Sequence, residues 1–319
     1  MATEERKSIL IITLSNIGDV ILTTPVIASL RSIFPREKFT VVVGPKAADL
    51  LKGSRLIDRV LVYDKRADLS HKLKLVRELR EEFYEWVIDL RNSAFPFLVR
   101  ANRRSPVFRA CRSKGARERH LEILHVTGLQ NQIREAPSVH FDFSSEKDEI
   151  SLNQKLRTKG FDLASHWVVV APGAGSEQKR WKIEGFSEVV GRLVEDSSLR
   201  IAAVGDASEM PLCARLSQAD ADRVINLAGE VSLRELAALV CRAKLVLTND
   251  SAVMHLGYEL RRPVVALFGP TDHEKYGREN EIWRIVREPS PSQFQDLSSE
   301  KVFLACQGLL NDVSAGRKI

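Results

Sequence analysis

In the run Ser15-Asn16-Ile17-Gly18-Asp19-Val20 a carboxylate stands next to a residue without a side chain. Glycine lets backbone approach a ligand, and Asp19 is then a candidate general base. From the spacing alone it reads first as a cap for the helix predicted by Val26, Ile27, Leu30, Ile33 and Phe34, since aspartate is a favoured N-cap residue. A second run, Pro172-Gly173-Ala174-Gly175-Ser176-Glu177-Gln178-Lys179-Arg180-Trp181-Lys182, joins a glycine turn to three cations. It could wrap a diphosphate and neutralise a leaving group, or form a solvated basic turn anchored by Trp181; it lacks the spacing of a Walker A loop. A third, Asn249-Asp250-Ser251-Ala252-Val253-Met254-His255-Leu256, opens a helix with small polar residues. The first N–H groups of such a helix face any bound anion. Asp250 and Ser251 also read as caps, and His255 as a core histidine. A fourth, Phe268-Gly269-Pro270-Thr271-Asp272, adds a hydroxyl and a carboxylate, and alone indicates only a turn.

These segments follow short apolar, β-branched runs, which alternate with helical patterns along the whole chain, as parallel sheets covered on both faces require. One set of strands is predicted at 9–13, 39–43, 59–63, 86–90 and 106–109, with a helix at 72–83 that sets Leu73, Val76, Leu79 and Phe83 on one face. A second set is predicted at 167–171, 199–204, 224–227, 244–248 and 264–267, with helices at 186–195, 233–241 and 253–260. The polar stretch around residue 144 separates them, so the reading is two doubly wound α/β domains, 1–143 and 144–319. Open parallel sheets bind ligands beyond the carboxyl ends of their strands, which is where all four runs lie. A last helix at 297–310, with Val302, Phe303, Cys306 and Leu309 on one side, is expected to pack back on the N-terminal domain.

The chain has 319 residues, 44% of them hydrophobic, enough for two buried cores, and its net charge of +6 suits an acidic partner. Nine cations fall between residues 91 and 119 against one acid, Glu118, and they include Arg91, Arg100, Arg103, Arg104 and Arg109. No RNA- or DNA-binding motif accompanies them, so nucleic acid is not the expected partner. The four cysteines lie far apart, without C-x-x-C or zinc-finger spacing, and read as reduced core thiols of a cytosolic protein. The apolar run at 9–12 is too short for a signal core or a membrane span. Asp220-Ala221-Asp222 matches the D-x-D pattern of metal-dependent glycosyltransferases, yet precedes a predicted strand, away from the other loops, and no metal is assigned. The first loop lacks G-x-G-x-x-G, which counts against dinucleotide redox chemistry.

Taken together the motifs resemble the ADP-heptose:lipopolysaccharide heptosyltransferases, glycosyltransferase family 9. The family's GDV-x-x-T-x-P segment stands here as Gly18-Asp19-Val20-Ile21-Leu22-Thr23-Thr24-Pro25, and its Pro-Gly-Ala turn with Lys-Arg-Trp as Pro172-Gly173-Ala174 and Lys179-Arg180-Trp181. T-x-D-S-G-x-x-H-L falls at 248–256 with one mismatch, and F-G-P-T-D is intact at 268–272. Weaker echoes at 87–90 and 226–236 extend the resemblance over nearly the whole chain.

The resemblance implies a GT-B architecture, two Rossmann-like domains facing a central cleft, and inverting, metal-independent transfer with no cofactor. It makes Asp19 the base and Lys179 the cation that offsets charge on the departing diphosphate. Gly175, Ser176, Glu209, Asp250, Ser251, Ala252 and His255 would meet the nucleotide-sugar donor, expected to be ADP-heptose. Gly18, Arg91, Arg100, Arg103 and Arg104 would meet an acidic, Kdo- and phosphate-bearing glycolipid acceptor, since guanidinium groups pair bidentately with carboxylate and phosphate. The basic cluster could also hold the protein peripherally on the cytoplasmic, anionic face of the inner membrane. Ala252 and Val253 depart from the commoner D-S-G-P-M-H-L. Two alternatives stand beside this reading: transfer of another sugar to a different envelope glycan, and a non-catalytic protein that grips a nucleotide sugar or glycolipid.

Overall fold

The strands of this protein are continuous apolar runs rather than alternating ones, because each sheet is covered on both faces and both sides of a strand must be buried. The structure, a computed structural model, describes residues 6–107, 110–135 and 139–314. The chain divides into two compact units, Met1–Phe143 and Ser144–Ile319.

In the first unit the elements run β1 (Ser8–Ile12), α1 (Ile17–Ile33), β2 (Lys38–Val43), α2 (Ala48–Lys52), β3 (Arg59–Val62), α3 (Leu69–Arg80), β4 (Phe83–Asp89), β5 (Arg100–Arg104), α4 (Ala116–Val126) and α5 (Gln130–Glu135). All pairings are parallel, in the order β3-β2-β1-β4-β5. One face packs Ile9, Ile11, Phe39 and Val41 under α1 and α4; the other packs Leu10, Ile12, Val42 and Val87 under Leu75 and Leu79 of α3.

The second unit runs α6 (Glu146–Arg157), β6 (His166–Ala171), α7 (Ile183–Leu193), β7 (Leu199–Ala203), α8 (Met210–Ser217), β8 (Val224–Asn226), α9 (Leu233–Arg242), β9 (Leu245–Asn249), α10 (Ala252–Glu259), β10 (Val264–Phe268), α11 (His273–Tyr276), β11 (Trp283–Arg287) and α12 (Ser299–Ser314). Its sheet is also parallel, in the order β11-β10-β9-β6-β7-β8. Counted from the first strand of each unit, both orders follow the doubly wound pattern, and the chain order reverses between β1 and β4 and between β6 and β9.

Several expectations are corrected. The fifth strand lies at Arg100–Arg104, ahead of the expected 106–109, of which residues 108 and 109 lie outside the described residues. The run Arg-Ala-Asn-Arg-Arg has little apolar content because it is an edge strand, where charge discourages pairing with another chain. α3 buries Leu75 and Leu79, while Leu73 is exposed and Phe83 opens β4. β11, flanked by arginines at the other edge, was not expected at all. Of the cysteines, Cys213 and Cys306 are buried and Cys111 is exposed; burial pushes the Cys213 thiol up to about 12.

The helix α12, expected to pack back on the N-terminal domain, sets Val302, Cys306 and Leu309 into the core of its own unit beside Phe186, Val265 and Val286. Among the described residues no helix is long and apolar enough to cross a membrane.

The second unit begins with a polar latch. Ser145 and Asp148 form a capping box at the start of α6, and Asp148 also meets Arg234 of α9 at 3.0 Å. Ser151 and Lys155 of α6 both reach Glu235, at 2.7 and 2.8 Å. Burial works against the Asp148 charge, but the Ser145 hydroxyl and N–H and the Arg234 guanidinium outweigh it and hold the carboxyl below its usual range. A lowered carboxyl stabilises the fold above its unfolded pKa and loses that effect as pH falls through its folded value. Asp148→Ala is therefore expected to cost about 1–2 kcal/mol at neutral pH. Urea unfolding of parent and variant should show the gap narrowing below about pH 4, the ordinary aspartate pKa.

Candidate active site

The loop after β6 and the loop after β9 flank the crevice where the order of the second sheet reverses, and one buried side chain joins them. Asn249, the last residue of β9, is fully buried. Its amide donates to the carbonyls of Pro172 and Gly173 at 2.8 and 3.2 Å, and its Oδ1 accepts the Trp181 N–H at 3.1 Å. Trp181 is itself core: its indole N–H donates to the Leu297 carbonyl, its ring packs on Phe186, and Gly185 supplies the space it occupies. The loop from 172 to 181 is thus held at both ends, and Gly175, Ser176, Glu177 and Gln178 between them are exposed.

Lys179 returns from the exposed part of this loop to the other one, with Nζ 2.8 Å from Oδ2 of Asp250. Asp250 is 6% exposed and Lys179 35%, so the ammonium stands at the surface of the crevice with its counter-ion behind it. Lys179 Nζ also lies 5.9 Å from the centre of the Tyr276 ring, which meets the His255 ring edge to face at 6.2 Å. Ser251 caps α10: its Oγ accepts the Val253 N–H at 3.2 Å and pairs with Thr248 Oγ1 at 2.9 Å. Val253, where the family pattern places proline, is what makes that N–H available to be capped. Ala252 begins α10, and His255 is buried on its first turn.

Glu209 follows β7 and turns back over the same loop. A Cβ on Gly173 would come within 1.8 Å of its Oε1, so the Pro172-Gly173 turn lies directly against the carboxylate. The Asp206 N–H donates to Oε2 at 3.0 Å, and Arg180 stands 3.8 Å from Oε1 while its guanidinium donates to the Ala174 carbonyl. Burial pushes the Glu209 pKa up, and the Asp206 N–H opposes it. Glu209 therefore braces the loop whatever else it touches.

In the first unit the reversal lies between β1 and β4. Asn16 is the N-cap position of α1 and Asp19 lies in its first turn; the Asp19 side chain does not cap the helix but accepts from the Asn16 amide at 3.0 Å. This removes the capping alternative for Asp19. Gly18 precedes it on the same turn. Gly44 presses on the turn from β2: its N–H donates to the Leu14 carbonyl, and a Cβ there would come within 2.6 Å of the Ser15 backbone. Across the reversal, buried Asp89 holds the next loop by accepting from the N–H groups of Arg91 and Ser93 and from the Ser93 hydroxyl. Arg91 lies over the Tyr63 ring at 5.3 Å.

The other candidate arginines do not gather there. Arg104 donates to the carbonyls of Pro96, Val99 and Ala101, so its guanidinium staples its own segment. Arg100 pairs in register with Phe83, the first residue of β4, and so stands at the amino end of the sheet, away from Asp19. Arg103 is exposed, over Trp86 at 5.5 Å and 4.0 Å from Glu85. Arg109 lies outside the described residues. Asp220 accepts from the N–H groups of Asp222 and Arg223, which makes the D-x-D segment a turn. Asp272 caps the short α11 that carries Tyr276. The sequence reading missed the roles of Asn249, Tyr276 and Asp89. An asparagine ending an otherwise apolar strand is the signal that could have found the first.

The description of the family whose model matches residues 72–303 is glycosyltransferase family 9 (heptosyltransferase). Asp19 lies ahead of that span. The lipopolysaccharide core heptosyltransferase OpsX of Haemophilus influenzae is 24% identical over 319 residues, covering 93% of this chain and 90% of that protein. The solved structure of E. coli ADP-heptose lps heptosyltransferase II matches with a TM-score of 0.79 at 21% identity, over 96% of this chain and 99% of the other. E. coli heptosyltransferase WaaC with ADP-2-deoxy-2-fluoro heptose matches with a TM-score of 0.73 at 21% identity, over 94% and 99%.

Two glycines two residues apart in the loop should respond differently to one methyl group. At Gly173 a Cβ collides with Glu209, whereas at Gly175 it meets nothing within 4 Å. Gly173→Ala must push the Glu209 carboxylate off the Asp206 N–H and is expected to lower the melting temperature by a few degrees, on the order of the 1–2 kcal/mol of a lost hydrogen bond to a charged group. Gly175→Ala should melt like the parent, and calorimetric titration with nucleotide should report any crowding of a bound ligand.

Proposed function

Because the chain belongs to glycosyltransferase family 9, we propose that it transfers a heptose from ADP-heptose to the Kdo- and heptose-bearing inner core of lipopolysaccharide. It is a glycosyltransferase, and its two Rossmann-ordered units are those of the GT-B class. The observation that carries the donor side is the Lys179–Asp250 pair at the mouth of α10. A helix N-terminus offers N–H groups and a positive dipole end to an anion, and Lys179 adds a full charge that Asp250 holds in place. Gly175 and Ser176 border the same position on the exposed part of the loop. That WaaC has been solved with an ADP-heptose analogue supports an ADP-sugar as donor.

On this reading Asp19 takes the proton from an acceptor hydroxyl as the oxygen attacks the anomeric carbon. The bond from that carbon to the β-phosphate oxygen breaks on the opposite face, and ADP leaves with the electron pair. One displacement inverts the anomeric configuration. Lys179 and the first N–H groups of α10 stabilise the charge that grows on the diphosphate, the part a metal ion takes in other transferases. Asp19 is suited to its part because its carboxylate is held by the Asn16 amide and is not used to cap α1. Arg91, on the same rim of the sheet as Asp19, is the arginine best placed to meet an acidic acceptor.

Asp19→Asn is expected to lower kcat by about 10²–10⁴-fold with donor affinity near the parental value. Lys179→Ala should damage both. Steady-state kinetics with ADP-heptose and a Kdo-bearing acceptor, paired with calorimetric titration of ADP-heptose, separates the two effects. Parental turnover in Asp19→Asn would remove the base, and preference for UDP-glucose would overturn the donor. Turnover should be unchanged by EDTA, and its loss, restored by a divalent cation, would overturn the metal-independent mechanism.

A further inference from the structure

Large apolar side chains left in water singly are ordinary, whereas a group of them bordered by cations is not. In the first unit Leu69 and Leu73 of α3 are 70% and 58% exposed, and Phe97 and Leu98 of the 3-10 turn Phe95–Leu98 are 67% and 48% exposed. An α-helix advances about 100° per residue, which puts Leu69 and Leu73 on one flank of α3 and Glu78 on the opposite flank. Glu78 reaches Arg59 on β3, the border strand on one side of the sheet, so Leu69 and Leu73 are turned toward β4 and β5.

The segment that leaves β4 descends over that side of the same face. Phe95 meets the Tyr63 ring at 5.9 Å, and Val99 is buried in the cluster that holds Leu75 and Leu79. Phe97 and Leu98, between these two anchors, are left in water on the face of the sheet that α3 covers. Arg77 and Arg80 continue the exposed side of α3, and Arg100 follows Leu98; all three are exposed. Within α3 the cations Lys72, Lys74, Arg77 and Arg80 outnumber the one acid, Glu78, which turns to Arg59; Asp68 caps the helix start and Glu81 follows its end.

We propose that this flank of α3 and the Phe95–Leu98 turn dock on an anionic lipid leaflet. Leucine and phenylalanine side chains lodge at the boundary between headgroups and acyl chains, and guanidinium groups pair with lipid phosphates around them. The arrangement fits a fluid surface because the apolar groups stand on two separate elements, each continued by exposed arginines. The proposal rests on the reading above that the acceptor is lipid-borne, and it sets the contact beside the rim that carries Arg91, since Arg91 and Phe95 share the Tyr63 ring while Phe97 and Leu98 are left in water.

The test is co-sedimentation of the full chain with phosphatidylcholine vesicles carrying or lacking phosphatidylglycerol. Binding is expected only with the anionic lipid, weakening about tenfold in Leu73→Ser/Phe97→Ser and in Arg77→Glu/Arg80→Glu, and falling as salt rises. Melting temperatures and transfer to a deacylated, water-soluble acceptor should remain parental. Parental vesicle binding by both double variants overturns the assignment, as does absence of binding by the parent. Self-association of the parent that Leu73→Ser/Phe97→Ser abolishes, without vesicle binding, gives the patch to a second copy and also overturns it. Failure of vesicle binding with transfer intact leaves the proposed activity standing, and failure of transfer with vesicle binding intact leaves the docking surface standing.

Discussion

In a parallel sheet every strand delivers its carboxyl end to the same rim, and a crevice opens there only where the chain order reverses. Both units obey this constraint, and the polar chemistry of each is found at its reversal. In the second unit the crevice is spanned by Lys179 and Asp250. An ion pair with one partner a third exposed is worth about 1 kcal/mol or less, so stability is a poor account of it. What the pair fixes is the position of one positive charge beside the start of α10.

The two units share a strand order but use it differently. At the first reversal the polar groups are carboxylates, with Asp19 on a helix turn and Asp89 buried beneath the next loop. At the second they are a cation, a helix N-terminus and a braced glycine turn. These are the two kinds of group, a carboxylate and an anion-facing cation, on which the proposed transfer calls.

Much of this was legible in the residues. Apolar runs such as Ser8–Ile12 and Val264–Phe268 are strands because nothing else buries so short an unbroken stretch on both sides, and the loops that follow them stand out by contrast. The roles proposed for Asp19 and Lys179 rest mainly on the resemblance, since from spacing alone an aspartate at a helix start reads first as a cap. Legibility failed where burial and periodicity part company. β5 is charged because it is an edge, and α3 leaves Leu73 in water while burying Leu75, which no helical pattern requires. Arg104 looked like its neighbours in a basic run, yet three backbone carbonyls absorb its guanidinium. Nothing local to a sequence tells which arginine will turn inward.

Asn249 holds the loop after β6 through two carbonyl oxygens and one N–H, all of them main-chain groups. Such a grip is blind to the side chains of the residues it holds. The exposed stretch from Gly175 to Gln178 can therefore exchange its residues while the loop keeps its course, provided the glycine against Glu209 and the tryptophan at its end remain. The path of the loop and its chemical face are separately heritable, and what that face meets can change without rebuilding the fold that presents it.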